Sequence, residues 1–282
     1  MVDVASLLLE GPLPRLEVRL LLQAVLQCSL TALFSAPERT LDDAEIALFR
    51  ALQVRRQHGE PMAYLLGERE FYGLSFLTTP AVLIPRPETE GLVDWGLETS
   101  APQVFLHCLD LGTGSGALAL SLQYHRPRWQ VSATDRSAAA LDLAQKNAAR
   151  LLPPSSPVVH WYHGDWYEAL PEGETFDLIV SNPPYIAAAD PHLDQGDLRF
   201  EPRQALTAGP SGTEDLERII AQAPLWLKPG GILRVEHGYD QGEFCRSLFV
   251  RAGFTQVTTR TDLAGLERLT GGHVGMERSF PF

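Results

Sequence analysis

Apolar positions recur at two different spacings along this chain, and the place where the spacing changes divides it. Up to about residue 66 the period is helical. Leu16, Leu20, Leu21, Val25 and Leu26 lie between Pro14 and Cys28, and Ile46, Leu48, Leu52 and Val54 follow Asp42. Asp42 with Glu45 three residues on forms a capping box for the second of these helices, and His58-Gly59-Glu60-Pro61 ends it. The segment predicts about four short helices, with Ile46, Leu48, Leu52 and Val54 facing inward on the one after Asp42, and no polar catalytic cluster. From Gly67 to Pro87 the period shortens. Phe71-Tyr72-Gly73-Leu74-Ser75-Phe76 predicts a hairpin around Gly73, and Pro87 suits the first turn of a helix. This stretch is expected to link two domains, and Arg86 and Glu88 would form an exposed pair upon it or line the mouth of an active site.

Beyond the linker, strands alternate with helices, which predicts a mostly parallel sheet covered on both faces. Strands are expected at Val104–Leu109, Val131–Asp135, Val158–Tyr162, Phe176–Ser181 and Ile232–Glu236. Helices are expected from Ala117 to about Tyr124, over 137–150, over about 214–223 and over about 241–252. Lys228-Pro229-Gly230-Gly231 reads as a turn. Phe254–Thr258 and Glu267–Leu269 read as an antiparallel pair closing the sheet edge. Residues 186–211, rich in Asp, Pro and Gly, form an irregular stretch long enough to be functional or mobile, and are expected to cover a substrate. The expected organisation is a helical bundle over 1–66 that docks a partner, a hairpin linker over 67–87, and an α/β domain over 88–282.

Candidate chemistry sits at the carboxyl ends of the predicted strands, where open parallel sheets bind ligands. The first strand runs into Asp110-Leu111-Gly112-Thr113-Gly114-Ser115-Gly116, whose glycines let the backbone turn tightly against a ligand. The spacing is Gly-x-Gly-x-Gly, unlike the Gly-x-Gly-x-x-Gly of dinucleotide enzymes. Asp135 ends the second strand about 20 residues on, where a carboxylate accepts hydrogen bonds from ribose hydroxyls; as a solvated acid it would cap the next helix, and the two roles are compatible. Asp165 and Trp166 follow the third strand, where an adenine amino group and ring face could be held, or where Trp166 is a core aromatic.

The fourth strand stops in Asn182-Pro183-Pro184-Tyr185. The Asn182 oxygen and the Pro183 carbonyl are two acceptors on a stiff frame, able to take both N–H bonds of a planar –NH2 group, and Tyr185 could stack on its plane. The same four residues would also serve as an ordinary turn with an aromatic plug. They resemble the (Asn/Asp)-Pro-Pro-(Tyr/Phe/Trp) signature of S-adenosylmethionine-dependent methyltransferases that modify planar amino groups.

Charge and composition narrow the choice. Net charge is −12, which argues against affinity resting on nucleic-acid phosphates. With 45% hydrophobic residues the chain can bury a substantial core, and no apolar run approaches a membrane span. Cys28, Cys108 and Cys245 are odd in number and far apart, so neither a disulfide framework nor a metal site is indicated. Met1-Val2-Asp3-Val4 lacks a basic leader, and a reduced, cytoplasmic protein is expected.

Over nearly its whole length the chain resembles the HemK/PrmC family, the glutamine N5-methyltransferases of peptide chain release factors. The resemblance rests on Gly59-Glu60-Pro61-Met62-Ala63-Tyr64, Glu70-Phe71-Tyr72-Gly73-Leu74 and Leu83-Ile84-Pro85-Arg86-Pro87-Glu88-Thr89-Glu90. It continues through the glycine loop, Gly164-Asp165-Trp166, Asn182-Pro183-Pro184-Tyr185-Ile186, Glu201-Pro202, Lys228-Pro229-Gly230-Gly231 and Asp262-Leu263-Ala264-Gly265. His237 departs from it, standing where the family carries an aliphatic residue between Glu236 and Gly238. The resemblance implies a Rossmann-like class I methyltransferase sheet and S-adenosyl-L-methionine as cofactor. Gly112, Thr113, Gly114, Ser115, Gly116, Asp135, Asp165, Trp166 and Asn182 would then be cofactor-binding. Asn182, Pro183, Pro184 and Tyr185 would bind substrate, with Asn182, Pro183 and Tyr185 catalytic. It further implies a release factor as protein partner, with no nucleic acid or membrane, and a monomer is expected. A sister group acting on a ribosomal-protein glutamine, and DNA or RNA amino-methyltransferases, share the Asn-Pro-Pro-Tyr loop and are the alternatives.

Overall fold

In the computed structural model, which describes residues 2–276, the helical period at the start of the chain becomes five helices: α1 (Val4–Leu9), α2 (Arg15–Leu26), α3 (Leu30–Ser35), α4 (Asp43–Gln57) and α5 (Met62–Leu66). Residue 1 and residues 277–282, the outermost ends of the expected domains, lie outside the described residues. The capping box at α4 forms as expected: Asp42 accepts from the Glu45 amide and Glu45 from the Asp42 amide. The expected inward face of α4 is met in part, by Leu52 and by Ile46 packed on the core. Val18, Leu21, Leu22 and Leu26 are buried on α2 while Leu16 is 65% exposed. On α4 Phe49 and Leu52 face the core, whereas Leu48 and Val54 are about half exposed. Helices this rich in leucine offer more than one apolar stripe, and the neighbouring helices select among them.

The hairpin pairs β1 (Glu68–Phe71) with β2 (Leu74–Leu77) through Tyr72 and Gly73, both at positive φ, as a two-residue turn of this twist requires. Phe71, Leu74 and Phe76 enter the same core cluster as the main sheet, so the expected linker is packed into that core. One buried side chain fastens it. Asn147 accepts from the Leu77 amide (2.7 Å) and donates to the carbonyls of Leu77 (3.1 Å) and Ser115 (2.9 Å).

The main sheet has seven strands in the order β5-β4-β3-β6-β7-β9-β8. They are β3 (His107–Leu111), β4 (Gln130–Asp135), β5 (His160–His163), β6 (Phe176–Ser181), β7 (Leu227–Glu236), β8 (Thr255–Thr261) and β9 (Glu267–His273). The first five are parallel, and β8 and β9 close the edge as the expected antiparallel pair. Helices α6 (Glu90–Leu97), α7 (Ala117–His125), α8 (Ala138–Leu151), α9 (Glu214–Trp226) and α10 (Gly242–Arg251) cover it. Several boundaries move. The strand expected at Val104–Leu109 starts at His107, because β4 offers no partner before Gln130, and Val104 and Phe105 stay exposed. The expected turn at Lys228–Gly231 is a bulge inside β7, whose register against β6 jumps between Phe176 and Leu178.

Replacing Asn147 with Leu keeps the volume roughly constant and orphans the Leu77 amide. The change should destabilise the protein by about 1–3 kcal/mol, read from the urea midpoint at unchanged m-value; an unchanged midpoint would show that the hairpin is held by packing alone.

Candidate active site

Sheet register places the site. Leu111 on β3 pairs with Ser181 on β6 and with Thr134 on β4, and Ser181 pairs with Val235 on β7. Gly112, Asp135, Asn182 and Glu236 therefore emerge at nearly one level on the carboxyl edge. The Ser181 hydroxyl donates to the Leu111 carbonyl (2.8 Å) and locks the two central loops together. The edge lies where chain order reverses, β3 leading to β4 on one side and β6 on the other, as ligand sites in such sheets do.

The glycine loop is held from beneath by carboxylates. Gly112 and Gly114 have φ of 73° and 57°, accessible to glycine at low cost. The amides of Gly112 and Thr113 both donate to the Thr134 carbonyl, and the Gly114 amide donates to Asp135 Oδ2 (2.8 Å). Asp135 Oδ1 accepts from the Ser137 amide (2.8 Å), while the Ser137 hydroxyl caps α8. Burial raises the Asp135 carboxyl above its usual range, opposed by those two amide bonds. Fully buried Asp110 accepts from the Thr113 hydroxyl (2.6 Å) and the Ala119 amide, and burial pushes it up to about 7.

These loops border an open cavity. Gly112, Gly114, Asp135, Asp165, Trp166, Asn182 and Pro184 line it, with Ala81, Val82, Leu83 and Ala140 as an apolar wall. Trp166 adopts φ of 45° and lies over Gly112, where an added Cβ would approach its ring to 2.9 Å. Its indole N–H donates to Asp215 (3.2 Å), and Asp165 pairs with Arg218 (2.8 Å). Thr113 and Ser115 face a second cavity beside Phe71 and Arg86; Pro183 and Tyr185 face a third beside Leu198 and Leu206. Asn182 lines all three. Gly116 lines none of them and instead starts α7, packed against Leu120 and Ala144.

Sequence reasoning missed the residues behind Asn182. Its Nδ2 donates to the Thr89 hydroxyl (2.9 Å), which donates to Glu236 Oε2 (2.7 Å); the Tyr185 hydroxyl reaches Glu236 Oε1 (3.3 Å). Burial pushes Glu236 up to about 7 against the pull of those hydroxyls. The Tyr185 phenol is raised by burial and by Glu236, so it stays protonated and donates. Arg86 takes the second of its two expected places: it turns inward to pair with Glu201, whose other oxygen accepts from the Ile84 amide (2.9 Å), and it lines the second and third cavities. Glu88 is exposed. Glu201 belongs to the long irregular stretch, which leaves and rejoins the body at a bridge between Ile186 and Thr207. That stretch also touches the helical bundle, since Arg199 donates to the His58 carbonyl (2.5 Å). The signal that could have found Glu236 was weak: one acid closing a strand beside the departure at His237.

The cavity suits a cofactor with ribose hydroxyls and a purine. Asp135 keeps lone pairs beyond the two amides it accepts, positive-φ glycines open the backbone to close approach, and Trp166 and the apolar wall line the same cavity.

Comparison with known proteins gives the same direction. The methyltransferase small domain family matches residues 97–197, and the PrmC N-terminal domain family matches residues 3–67. A release factor glutamine methyltransferase of Burkholderia pseudomallei is 49% identical over 272 residues, 96% of this chain and 95% of the relative. One of Bordetella pertussis is 51% identical over 95% of this chain and 98% of its own length, and one of Escherichia coli is 44% identical over 92% of each. Among solved structures, a methyltransferase of Pyrococcus furiosus aligns with a TM-score of 0.54 at 19% identity, over 79% of this chain and 98% of its own. A 16S ribosomal RNA methyltransferase of T. thermophilus, solved with AdoMet and guanosine, aligns at 0.52 with 22% identity, over 73% of this chain and 49% of its own. These two likenesses concern the fold.

Substituting Gly112 with Ala adds a Cβ against the Trp166 ring at a positive-φ position. It should cost about 1–2 kcal/mol in backbone strain and shift the tryptophan emission as the ring is displaced. An unperturbed spectrum would place Trp166 away from the loop.

Proposed function

The chain belongs to the release factor glutamine methyltransferase family, and we propose on that footing that Asn182 and the Pro183 carbonyl present the substrate amide for methylation. The enzyme moves a methyl group from S-adenosyl-L-methionine to the side-chain nitrogen (N5) of a glutamine in a peptide chain release factor, the Gly-Gly-Gln glutamine in our reading. When bound, the cofactor supplies an electrophilic methyl carried on a sulfonium sulfur. Gly112, Gly114, Asp135, Asp165 and Trp166 would hold it in the main cavity, with Thr113, Ser115 and Gly116 shaping the loop.

One observation carries the assignment. Asn182 Nδ2 is committed to Thr89, so its Oδ1, which accepts from no described residue, is the atom left for a ligand. An amide nitrogen is a poor nucleophile because its lone pair is shared with the carbonyl. Two fixed acceptors bind its two N–H bonds and turn the nitrogen toward the methyl, with reacting atoms about 3–3.5 Å apart. As the N–C bond forms and the S–C bond breaks, the nitrogen becomes positive and its protons more acidic. The same acceptors then bind more strongly than in the ground state, which lowers the barrier. The sulfur would depart with the S–C electron pair as a neutral thioether, and the nitrogen would release one of its protons to solvent water, which completes the transfer.

The third cavity, bounded by Pro183, Tyr185, Leu198 and Leu206, is the entrance we assign to the glutamine side chain. The irregular cover over 186–207 would close on it, anchored by Glu201 to Arg86 and by Arg199 to the helical bundle. The bundle, in this reading, docks the release factor. A net charge of −12 favours a protein substrate over nucleic acid. Among the described residues no helix is long and apolar enough to cross a membrane, and the three cysteines are free. We read the enzyme as a cytoplasmic monomer.

Methyl transfer measured side by side on purified release factor, ribosomal protein and DNA should label the Gly-Gly-Gln glutamine. Preferential labelling of either other substrate would overturn that assignment. Asn182→Ala should lower the single-turnover rate by about 10²–10³-fold with only a modest change in cofactor affinity, and Asn182→Asp should retain partial activity. A near wild-type rate for the alanine variant would make the loop structural.

A further inference from the structure

We propose that Glu236 and Thr89 are positioning residues that fix which way round the Asn182 amide sits, so that its oxygen and not its –NH2 faces the substrate. The inference rests on the role given to Asn182 above. Its basis is the one-way polarity of the chain behind that residue.

An ionised carboxylate only accepts hydrogen bonds. Glu236 Oε2 accepts a hydrogen bond from the Thr89 hydroxyl (2.7 Å), so Thr89 Oγ1 has only lone pairs left to offer Asn182, and it accepts from Nδ2 (2.9 Å). The reversed amide would set Oδ1 against those lone pairs with no proton between them. Water cannot easily repair that mismatch, because Thr89 is 5% and Glu236 1% exposed. The second carboxylate oxygen is engaged by the Tyr185 hydroxyl, so the acceptor is held from two sides. Three segments far apart in sequence thus converge on one amide: the Pro87–Thr89 turn, the Asn-Pro-Pro-Tyr loop and the end of β7.

The polarity reverses if Glu236 gains a proton or becomes an amide. Its side chain can then donate to Thr89, the Thr89 hydroxyl can donate to Asn182, and the amide is stabilised with –NH2 toward the substrate. Two donors would then meet. The charged groups facing Glu236 are Arg268 on β9, which favours the ionised form, and Glu88 on the turn, which opposes it. With burial pushing Glu236 up to about 7, the chemical step should weaken as pH falls through that region.

The test is single-turnover methylation of intact release factor at saturating S-adenosyl-L-methionine, with cofactor affinity measured separately by calorimetry. Glu236→Gln should lower the rate by about 10²-fold and leave the cofactor dissociation constant within about threefold. It should also abolish the acid limb of the rate profile. Thr89→Val should match that loss and Thr89→Ser should recover most of it, a comparison that stands even where the Glu236 variant folds poorly. In the double variant Asn182→Ala with Glu236→Gln, the rate should fall no further than in Asn182→Ala alone. Multiplying losses would show that Glu236 acts through general stability and would overturn the proposal, as would an acid limb that survives Glu236→Gln. An Asn182→Ala enzyme at near wild-type rate would instead remove the role of Asn182 itself, a separate and distinguishable result.

Discussion

Strand β6 cannot run past Ser181, because neither Pro183 nor Pro184 can donate to a ladder and each holds its predecessor extended. The site is built against that stop. Parallel pairing then sets β3, β4 and β7 to end at nearly the same level, so four chain segments release their loops at one edge. The prolines also stiffen the loop that follows. An acceptor presented on a rigid frame loses little reorganisation energy when charge develops beside it, which is the condition for strong electrostatic catalysis. Flexibility at Asn182 would forfeit that advantage even with every contact retained.

Buried carboxylates organise the surroundings. Asp110 gathers the Thr113 hydroxyl and the Ala119 amide, Asp135 the amides of Gly114 and Ser137, Glu201 the Ile84 amide and Arg86, and Glu236 the hydroxyls of Thr89 and Tyr185. Burial raises all four above the usual carboxylate range. Desolvating a charge is costly unless donors surround it. Each of these acids therefore demands a particular arrangement of the loop above it. The same demand ties the distant parts together: Glu201 joins the cover to the Ile84–Arg86 segment, and Arg199 joins the cover to the helical bundle.

What could be read along the chain was whatever depends on near neighbours in sequence. Apolar period separated helices from strands, the capping box at Asp42 and Glu45 was evident, Tyr72-Gly73 announced its hairpin, and Pro183-Pro184 placed the end of β6 at about Ser181. The loops of the candidate site were legible for the same reason, since glycine, proline and strand ends constrain the backbone locally. Tertiary structure decided which stripe of each leucine-rich helix turned inward, leaving Leu16, Leu48 and Val54 outside, and where β3 found a partner. It also turned Arg86 toward Glu201 and set Thr89 and Glu236 behind Asn182, across separations of 115, 93 and 147 residues for the bonds Arg86–Glu201, Asn182–Thr89 and Thr89–Glu236. A hydrogen bond fixes its partners by distance and direction in space, and position along the chain carries no trace of either until the sheet has set its register.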